Sequence, residues 1–160
     1  MRIPDGVAWL ADDPTGAPWI SRLGRLVREV RELWDVEIDE DRPFPGCTVS
    51  WSAPGRWRDT DVVVKLQWPH PDAAHEAAAL AAWGGEGAAM LLAHDAARSA
   101  LLLERCRPGV ALGDVSDERI DPLAVLAAII RRLAVEVESP FDRLADVAAG
   151  WADGLVGAWE

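Results

Sequence analysis

The chain has 160 residues and a formal net charge of −11, from 27 acidic and 16 basic side chains. Half of the residues are hydrophobic and 27% are charged, which is typical of a globular protein and excludes a disordered one. The acidic charge argues against a nucleic-acid partner, which needs a basic surface, and suits a cationic one. Because no apolar run could span a membrane and no signal-peptide pattern begins the chain, we expect a cytoplasmic protein without a membrane partner.

The chain contains two cysteines, Cys47 and Cys106, which are far apart in sequence and form no C-x-x-C motif. Together with His70, His75 and His94 they show no spacing typical of a metal site. We therefore expect two buried thiols in a reducing compartment and no bound metal.

The first 105 residues predict an α+β unit with the element order helix, three strands, helix, two strands. An apolar stripe at helical spacing predicts the first helix over Pro18–Trp34. A turn at Pro54–Gly55 is expected to end the second strand, with Arg56–Thr60 as the hairpin loop before the third. The five strands are predicted at residues 36–38, 47–53, 61–68, 90–93 and 100–105.

The segment Asp61–Trp68 carries Lys65, the single lysine in a chain with fifteen arginines. Its sequence, D-V-V-V-K-L-Q-W, alternates with the period of a strand. One face carries Val62, Val64, Leu66 and Trp68, and the other carries Val63, Lys65 and Gln67. A compact, flexible ammonium on a strand is a common phosphate-binding group in kinases. The alternative is that Lys65 only points to water from a half-buried strand.

An alanine-rich helix, capped by Asp72, is predicted after this strand. Within it Glu76, Leu80 and Trp83 share one face, so a carboxylate lies beside the two largest apolar side chains. A buried carboxylate is unfavourable unless a cation meets it, and Lys65 is the nearest candidate. We therefore expect a Lys65–Glu76 ion pair. The alternative is a solvated Glu76 at the edge of the apolar stripe.

An arginine–proline–glycine sequence ends the last strand, and all later elements are predicted to be helical. Pro122 is expected at the first position of one helix, and Ser139 with Asp142 resembles a capping box that opens another. We therefore divide the chain into residues 1–105 and 106–160. Both helices carry wide apolar stripes that two helices cannot cover, which predicts self-association or docking onto a further segment.

Three segments form a specific combination of motifs. They are F-P-G-C-T-V-S-W (Phe44–Trp51), V-V-K-L-Q-W-P-H-P-D-A-A-H-E-A-A-A-L (Val63–Leu80) and L-L-A-H-D…A-L-L-L-E-R-C-R-P-G (Leu91–Gly109). Together they resemble the aminoglycoside phosphotransferase family, in its streptomycin 6-kinase and hydroxyurea phosphotransferase branch. The resemblance implies a protein-kinase-like amino-terminal lobe, with an antiparallel sheet of about five strands and an αC-type helix, followed by a helical lobe. It also implies ATP as cofactor and phosphate transfer to a hydroxyl of a small molecule, often a cationic or polar antibiotic.

By this resemblance, Lys65 would hold the ATP phosphates and Glu76 would fix Lys65. Residues 104–106 would form the hinge that meets the adenine edge, and residues 46–50 the turn that covers the phosphates. That turn has one glycine where protein kinases have three, and a thiol stands where a glycine is expected, so the match is weak there. The implied nucleotide-binding residues are Lys65, Glu76, Gly46, Cys47, Thr48, Ser50, Glu104, Arg105 and Cys106.

The chain departs from the family pattern where the chemistry is expected. Kinase catalysis uses an aspartate in an H-G-D-type loop and an asparagine that holds Mg²⁺, yet the 160 residues contain no asparagine and no H-G-D. We therefore expect a fragment, the nucleotide-binding lobe with the first helices of an incomplete second lobe. It would lack catalytic and Mg²⁺-binding residues and transfer no phosphate by itself. The alternative is a non-catalytic nucleotide-binding or interaction module, or a decayed remnant of a kinase.

Overall fold

The computed structural model describes residues 1–117, 119–137 and 140–157 of the chain. Its helices are α1 (Asp5–Ala8), α2 (Ala17–Trp34), α3 (Glu76–Trp83), α4 (Pro122–Leu133) and α5 (Leu144–Gly157). Its strands are β1 (Glu37–Ile38), β2 (Ser50–Trp57), β3 (Thr60–Gln67), β4 (Leu91–Asp95) and β5 (Ala100–Glu104). Short 3₁₀ turns lie at Trp9–Ala11, Pro71–Ala73 and Leu112–Asp114. Within the described ranges, every helix is too short or too polar to cross a lipid bilayer.

The five strands form one antiparallel sheet in the order β1-β2-β3-β5-β4. β3 therefore lies in the centre of the sheet. Within it, Lys65 pairs with Ser52 of β2 on one side and with Leu101 of β5 on the other. The α+β class and the five-stranded antiparallel sheet predicted from the sequence are confirmed.

The apolar face of β3 packs under α2. Val62, Val64 and Leu66 are completely buried on this face. The same buried cluster includes the α2 side chains Trp19, Leu23, Val27 and Val30. Burying a side chain of this kind stabilises a fold by about 1.5–3 kcal/mol. This layer forms the larger of the two hydrophobic clusters and fixes the strand that carries Lys65.

α3 packs on the opposite face of the sheet, the face to which Lys65 belongs. Leu80 of α3 lies in a small buried cluster with Leu101 and Leu103 of β5. Val63 of β3 packs against this cluster from the strand side. Because Val63 and Lys65 are two residues apart on one strand, α3 lies beside the row of side chains that contains Lys65.

The second strand differs from its prediction, since β2 runs over Ser50–Trp57 and contains Pro54 and Gly55 instead of turning there. The carbonyl of Pro54 accepts a hydrogen bond from the N–H of Asp39, which lies just beyond the end of β1. Because β1 has ended there, the N–H that proline lacks would face the edge of the sheet. A glycine is needed next, because a Cβ at Gly55 would lie 2.5 Å from the carbonyl oxygen of Glu37. These two residues therefore let β1 approach the strand.

The hairpin loop and the following helix are both shorter than predicted. Arg58 and Asp59 alone connect β2 to β3, with φ angles of 48° and 66° that suit a tight two-residue turn. α3 begins at Glu76, because Pro71 starts a separate 3₁₀ turn, so the expected capping position of Asp72 is wrong. Glu76 is thus the first residue of α3, where the positive end of the helix dipole favours a carboxylate.

Beyond β5 the two predicted helices, α4 and α5, lie on the surface. None of the side chains described between residues 106 and 155 is buried. Pro122 occupies the first turn of α4 as predicted, and Asp121 caps this helix by accepting hydrogen bonds from two backbone N–H groups. Ser139, half of the predicted capping box, lies outside the described residues. The apolar stripes of α4 and α5 are therefore exposed, whereas the domain boundary stays a prediction.

Candidate functional site

Lys65 and Glu76 form a bidentate ion pair between the central strand and α3. The Nζ atom of Lys65 donates to both carboxylate oxygens of Glu76, at 2.7 and 2.8 Å. The two side chains are 24% and 29% exposed, so the pair is partly shielded from water. The ion pair expected from the sequence is therefore present. The alternatives, in which Lys65 or Glu76 contacts only water, are wrong.

Gln67 is a third member of this cluster. Its Nε2 atom donates to Oε2 of Glu76 at 2.7 Å and, more weakly, to the carbonyl of Ala73 at 3.5 Å. The Gln67 side chain is buried, and Glu76 therefore accepts three hydrogen bonds from two side chains of one strand. Sequence reasoning gave Gln67 no role, although its place on the Lys65 face of the strand was a signal that could have found it.

Two anchors hold α3 in the position that this cluster needs. Leu80 fixes the middle of the helix on the sheet. At the end of the helix, the indole Nε1 of Trp83 donates to the carbonyl of Leu133 in α4 at 3.0 Å. Because Glu76, Leu80 and Trp83 share one face of α3, the anchoring of Leu80 and Trp83 also positions the Glu76 carboxylate.

A cleft of about 460 Å³ opens on the same face of the sheet. Its floor includes Ser52, which pairs directly with Lys65, and Val63, which precedes Lys65 by two residues. Its walls come from the loop before β2, through Cys47, and from residues 103–109 at and beyond the end of β5. The cleft and the Lys65–Glu76 pair therefore share one continuous row of β-sheet positions.

The structure brings four of the predicted loop and hinge residues to this cleft. They are Cys47, Glu104, Arg105 and Cys106. The expectation of two buried thiols is wrong for Cys106, which is exposed because the chain has left the sheet, while Cys47 is partly buried.

The other three predicted loop residues are not among the described residues that line the cleft. Gly46 lies in open space, since a Cβ there would meet no atom within 4 Å. The Thr48 carbonyl accepts a hydrogen bond from the indole of Trp9 at 3.0 Å. Ser50 is buried as the first residue of β2, in register with Gln67. The phosphate-covering turn predicted at residues 46–50 therefore contributes only Cys47 to the cleft.

Comparison with known proteins shows where this arrangement belongs. The family model described as aminoglycoside/hydroxyurea antibiotic resistance kinase matches residues 49–158, which is more than half of the chain. The chain belongs to this kinase family. The resemblance seen in the sequence motifs is thereby confirmed. The matched residues include Lys65, Glu76 and residues 104–106, whereas Gly46, Cys47 and Thr48 precede them.

Several curated members of the kinase family align with most of the chain. The streptomycin 6-kinase of Streptomyces griseus is 32% identical over 137 residues, which cover 83% of this chain and 44% of that protein. The hydroxyurea phosphotransferase of Kitasatospora aureofaciens is 31% identical over 142 residues, or 88% of this chain and 42% of that protein. The chain thus spans less than half the length of the curated relatives it matches. No solved structure matches it significantly.

In this kinase family member, the predicted hinge at residues 104–106 is tied to neighbouring backbone. The N–H of Glu104 donates to the carbonyl of Met90 at 2.9 Å, and the N–H of Met90 donates to Oε1 of Glu104 at 3.0 Å. Beyond the hinge, the Arg107 guanidinium donates to the carboxylate of Asp61 near the start of β3. This hydrogen bond lowers the pKa of Asp61. Residues 104–107 are therefore held in position relative to the strand that carries Lys65.

The chemistry that these groups can perform is binding. Lys65 offers a cation held by a carboxylate, and the adjoining cleft offers an apolar floor beside residues 104–106. Across the described part of the chain, no three histidine, cysteine, aspartate or glutamate side chains come together as a metal site. The arrangement suits an anionic ligand with a flat apolar end.

Proposed function

We propose that this chain is the nucleotide-binding part of an ATP-dependent phosphotransferase that acts on an alcohol group of a small molecule. The observation that carries this proposal is the bidentate Lys65–Glu76 pair, beside a cleft that residues 103–109 line. A lysine on the third strand paired with a glutamate on the following helix is the arrangement that holds the α- and β-phosphates in protein kinases. Membership of an antibiotic resistance kinase family supports the same assignment.

In this proposal each group of the site has one role. The Lys65 ammonium contacts the nucleotide phosphates as a compact point charge, and Glu76 keeps it directed along the sheet. The adenine ring lies in the cleft on Val63 and Leu103, with the backbone of the hinge at its polar edge. A protein-kinase-like lobe is the fold that this assignment requires, with residues 1–105 as the nucleotide-binding unit.

Phosphate transfer needs groups beyond this binding site. An aspartate orients the acceptor hydroxyl, and an asparagine and a further aspartate hold Mg²⁺ in such enzymes. The 160 residues contain no asparagine and no H-G-D sequence. We therefore propose that these residues bind nucleotide without transferring its phosphate, and that transfer requires catalytic groups from outside them.

The proposed acceptor is a small polar or cationic molecule that carries a hydroxyl group. Two relatives are named for streptomycin and one for hydroxyurea. The net charge of −11 would attract a cationic acceptor over a long range. A cytoplasmic location, where ATP is available, is part of this proposal.

The test is titration of the purified chain with ATP, with Lys65→Ala as the informative variant. We expect Lys65→Ala to weaken ATP binding at least about tenfold, equal to ~1.4 kcal/mol. Arg25→Ala is the matched control, because it removes the same charge from α2 on the other side of the sheet and should leave the affinity unchanged. A folded wild-type chain that binds no ATP, or equal affinities for wild type and Lys65→Ala, would contradict the proposal and favour a non-catalytic interaction module.

A second measurement addresses transfer. ATP labelled on its γ-phosphate is incubated with the chain and streptomycin, and we expect no labelled streptomycin. Turnover that is lost in Lys65→Ala would show that the 160 residues carry the catalytic groups themselves.

A further inference from the structure

Cys47 and Cys106 are the two cysteines of the chain, and both line the cleft beside Lys65. They are 59 positions apart in sequence and belong to different segments, one before β2 and one after β5. The order β2-β3-β5 puts only the central strand between these two segments. One cavity is therefore lined by a cysteine from each of two walls.

The two thiols differ in how firmly they are held. Cys47 is partly buried and packs against the large hydrophobic cluster. Its carbonyl oxygen lies so close to Gly6 that a Cβ there would approach it to 2.5 Å, so the amino-terminal segment fixes the backbone at Cys47. Cys106 is exposed, two residues beyond the strand pair that anchors the hinge. The cleft is thus lined by one partly buried, packed cysteine and one exposed cysteine.

The remaining cleft surface combines an apolar floor with the charged residues Glu104, Arg105 and Arg107. Val63, Ala89 and Leu103 provide apolar contacts. Lys65, the single lysine of the chain, is held by Glu76 and does not line this cavity among the described residues. Thiolates react with soft carbon electrophiles, and an apolar pocket concentrates such molecules beside the sulfur atoms.

We propose that Cys47 and Cys106 form a two-thiol modification site for small, flat α,β-unsaturated carbonyl compounds, and that this modification and nucleotide binding exclude each other. The second part rests on the proposed function. In the reaction, the thiolate sulfur forms a C–S bond to the β-carbon as the C=C π bond breaks. The α-carbon takes a proton from water, and water receives the thiol proton, so no oxidant or reductant is consumed.

The first test needs no nucleotide. A dilute solution of the wild-type chain is treated with a short phenylene bis-maleimide and analysed by mass spectrometry after proteolysis. We expect one reagent per chain, joining the Cys47 peptide to the Cys106 peptide. Two reagents per chain, one on each cysteine with no cross-linked peptide, would overturn the thiol pair.

The second test measures exclusion. The rate of N-ethylmaleimide addition at each thiol is followed with and without saturating ATP, and we expect ATP to slow both at least about tenfold, in line with the fraction of sites occupied. A cysteine introduced as Arg25→Cys on α2 is the control, and its rate should not respond to ATP.

The outcomes separate this inference from the proposed function. If titration shows that ATP binds but both thiols react at unchanged rates, exclusion is wrong and the proposed function stands. If ATP does not bind, the proposed function and exclusion both fail, and the bis-maleimide cross-link alone decides whether the thiol pair exists.

Discussion

The buried amide of Gln67 donates to Oε2 of Glu76 at 2.7 Å, the same oxygen that Lys65 contacts at 2.8 Å. Two side chains of one strand face thus converge on one carboxylate oxygen. Lys65 contacts both carboxylate oxygens, and the Gln67 bond adds a second donor to Oε2 from the same strand face. Gln67 is therefore a positioning residue for the Lys65–Glu76 pair.

Replacing Gln67 by leucine tests this relationship. Gln67→Leu keeps the side-chain size and removes one hydrogen bond to a charged group, which we expect to lower the free energy of unfolding by about 1–2 kcal/mol. Urea denaturation measures the change. Gln67→Glu is the informative companion, because it places two carboxylates together and should be less stable at pH 8 than at pH 5, where one of them can be protonated. Wild-type stability in both variants would show that the bond contributes nothing.

Alanine substitutions at Gly55 and Gly24 form a matched pair of variants that tests the close approach of β1 to β2. A Cβ at Gly55 would lie 2.5 Å from the Glu37 carbonyl oxygen, so Gly55→Ala must push β1 away and should destabilise the fold by about 1–3 kcal/mol. Gly24 lies inside α2, where the nearest atom to an added Cβ is 3.9 Å away, and Gly24→Ala should stabilise by about 0.5–1 kcal/mol. Thermal unfolding of both variants measures the opposite shifts. Unchanged or increased stability of Gly55→Ala would refute the assigned role of Gly55.

The Asp61–Arg107 pair predicts a pH dependence of stability. The hydrogen bond from Arg107 lowers the pKa of Asp61, so the folded state binds that proton less readily than the unfolded state does. The contribution of Asp61 is therefore complete above the ordinary aspartate pKa and is lost as pH falls through the lowered value. We expect Asp61→Asn to be less stable than wild type at pH 7, with the difference vanishing in acid. Asp12→Asn, at an exposed position, is the control, and a difference that grows in acid would contradict the assignment.

The exposed faces of α4 and α5 predict self-association. Leu123, Trp151 and Leu155 are 76%, 68% and 64% exposed, and apolar side chains in such numbers favour burial against another surface. We expect sedimentation at increasing concentration to show oligomers that Leu123→Lys combined with Leu155→Lys reduces. Leu33→Lys, at an exposed apolar position of α2, should have no effect. A wild-type chain that stays monomeric at about 100 μM, well above common weak association constants, would refute this prediction.

The Lys65–Glu76 pair could be predicted because both of its determinants are local. Alternation over eight residues assigned Lys65 to one strand face, and helical spacing placed Glu76 on the packed side of α3. The role of Gln67 could not be predicted in the same way. Its hydrogen bond depends on where α3 starts, and the start was misplaced because Asp72 is a good capping residue in sequence.

The errors elsewhere have a common physical cause, which is tertiary context. Pro54 and Gly55 are strong turn formers, yet the short β1 strand leaves room for a proline and requires a glycine. The shared cavity of Cys47 and Cys106 depends on β5 pairing with β3, a long-range choice that no local pattern contains. The order of the strands therefore could not be predicted from the sequence. The family-specific motifs could be recognised without knowing that order.

The central position of β3 has a consequence for the lifetime of the site. Lys65 has a hydrogen-bonded strand on each side, so its backbone amide can exchange with solvent deuterium only when the whole sheet opens. Among the residues described between 106 and 155 no side chain is buried, so we expect the helices there to open far more often. We therefore expect the backbone of Lys65 to lie in the slowest-exchanging part of the molecule, and unfolding of α4 would remove the Trp83–Leu133 hydrogen bond without opening the pairing of β3.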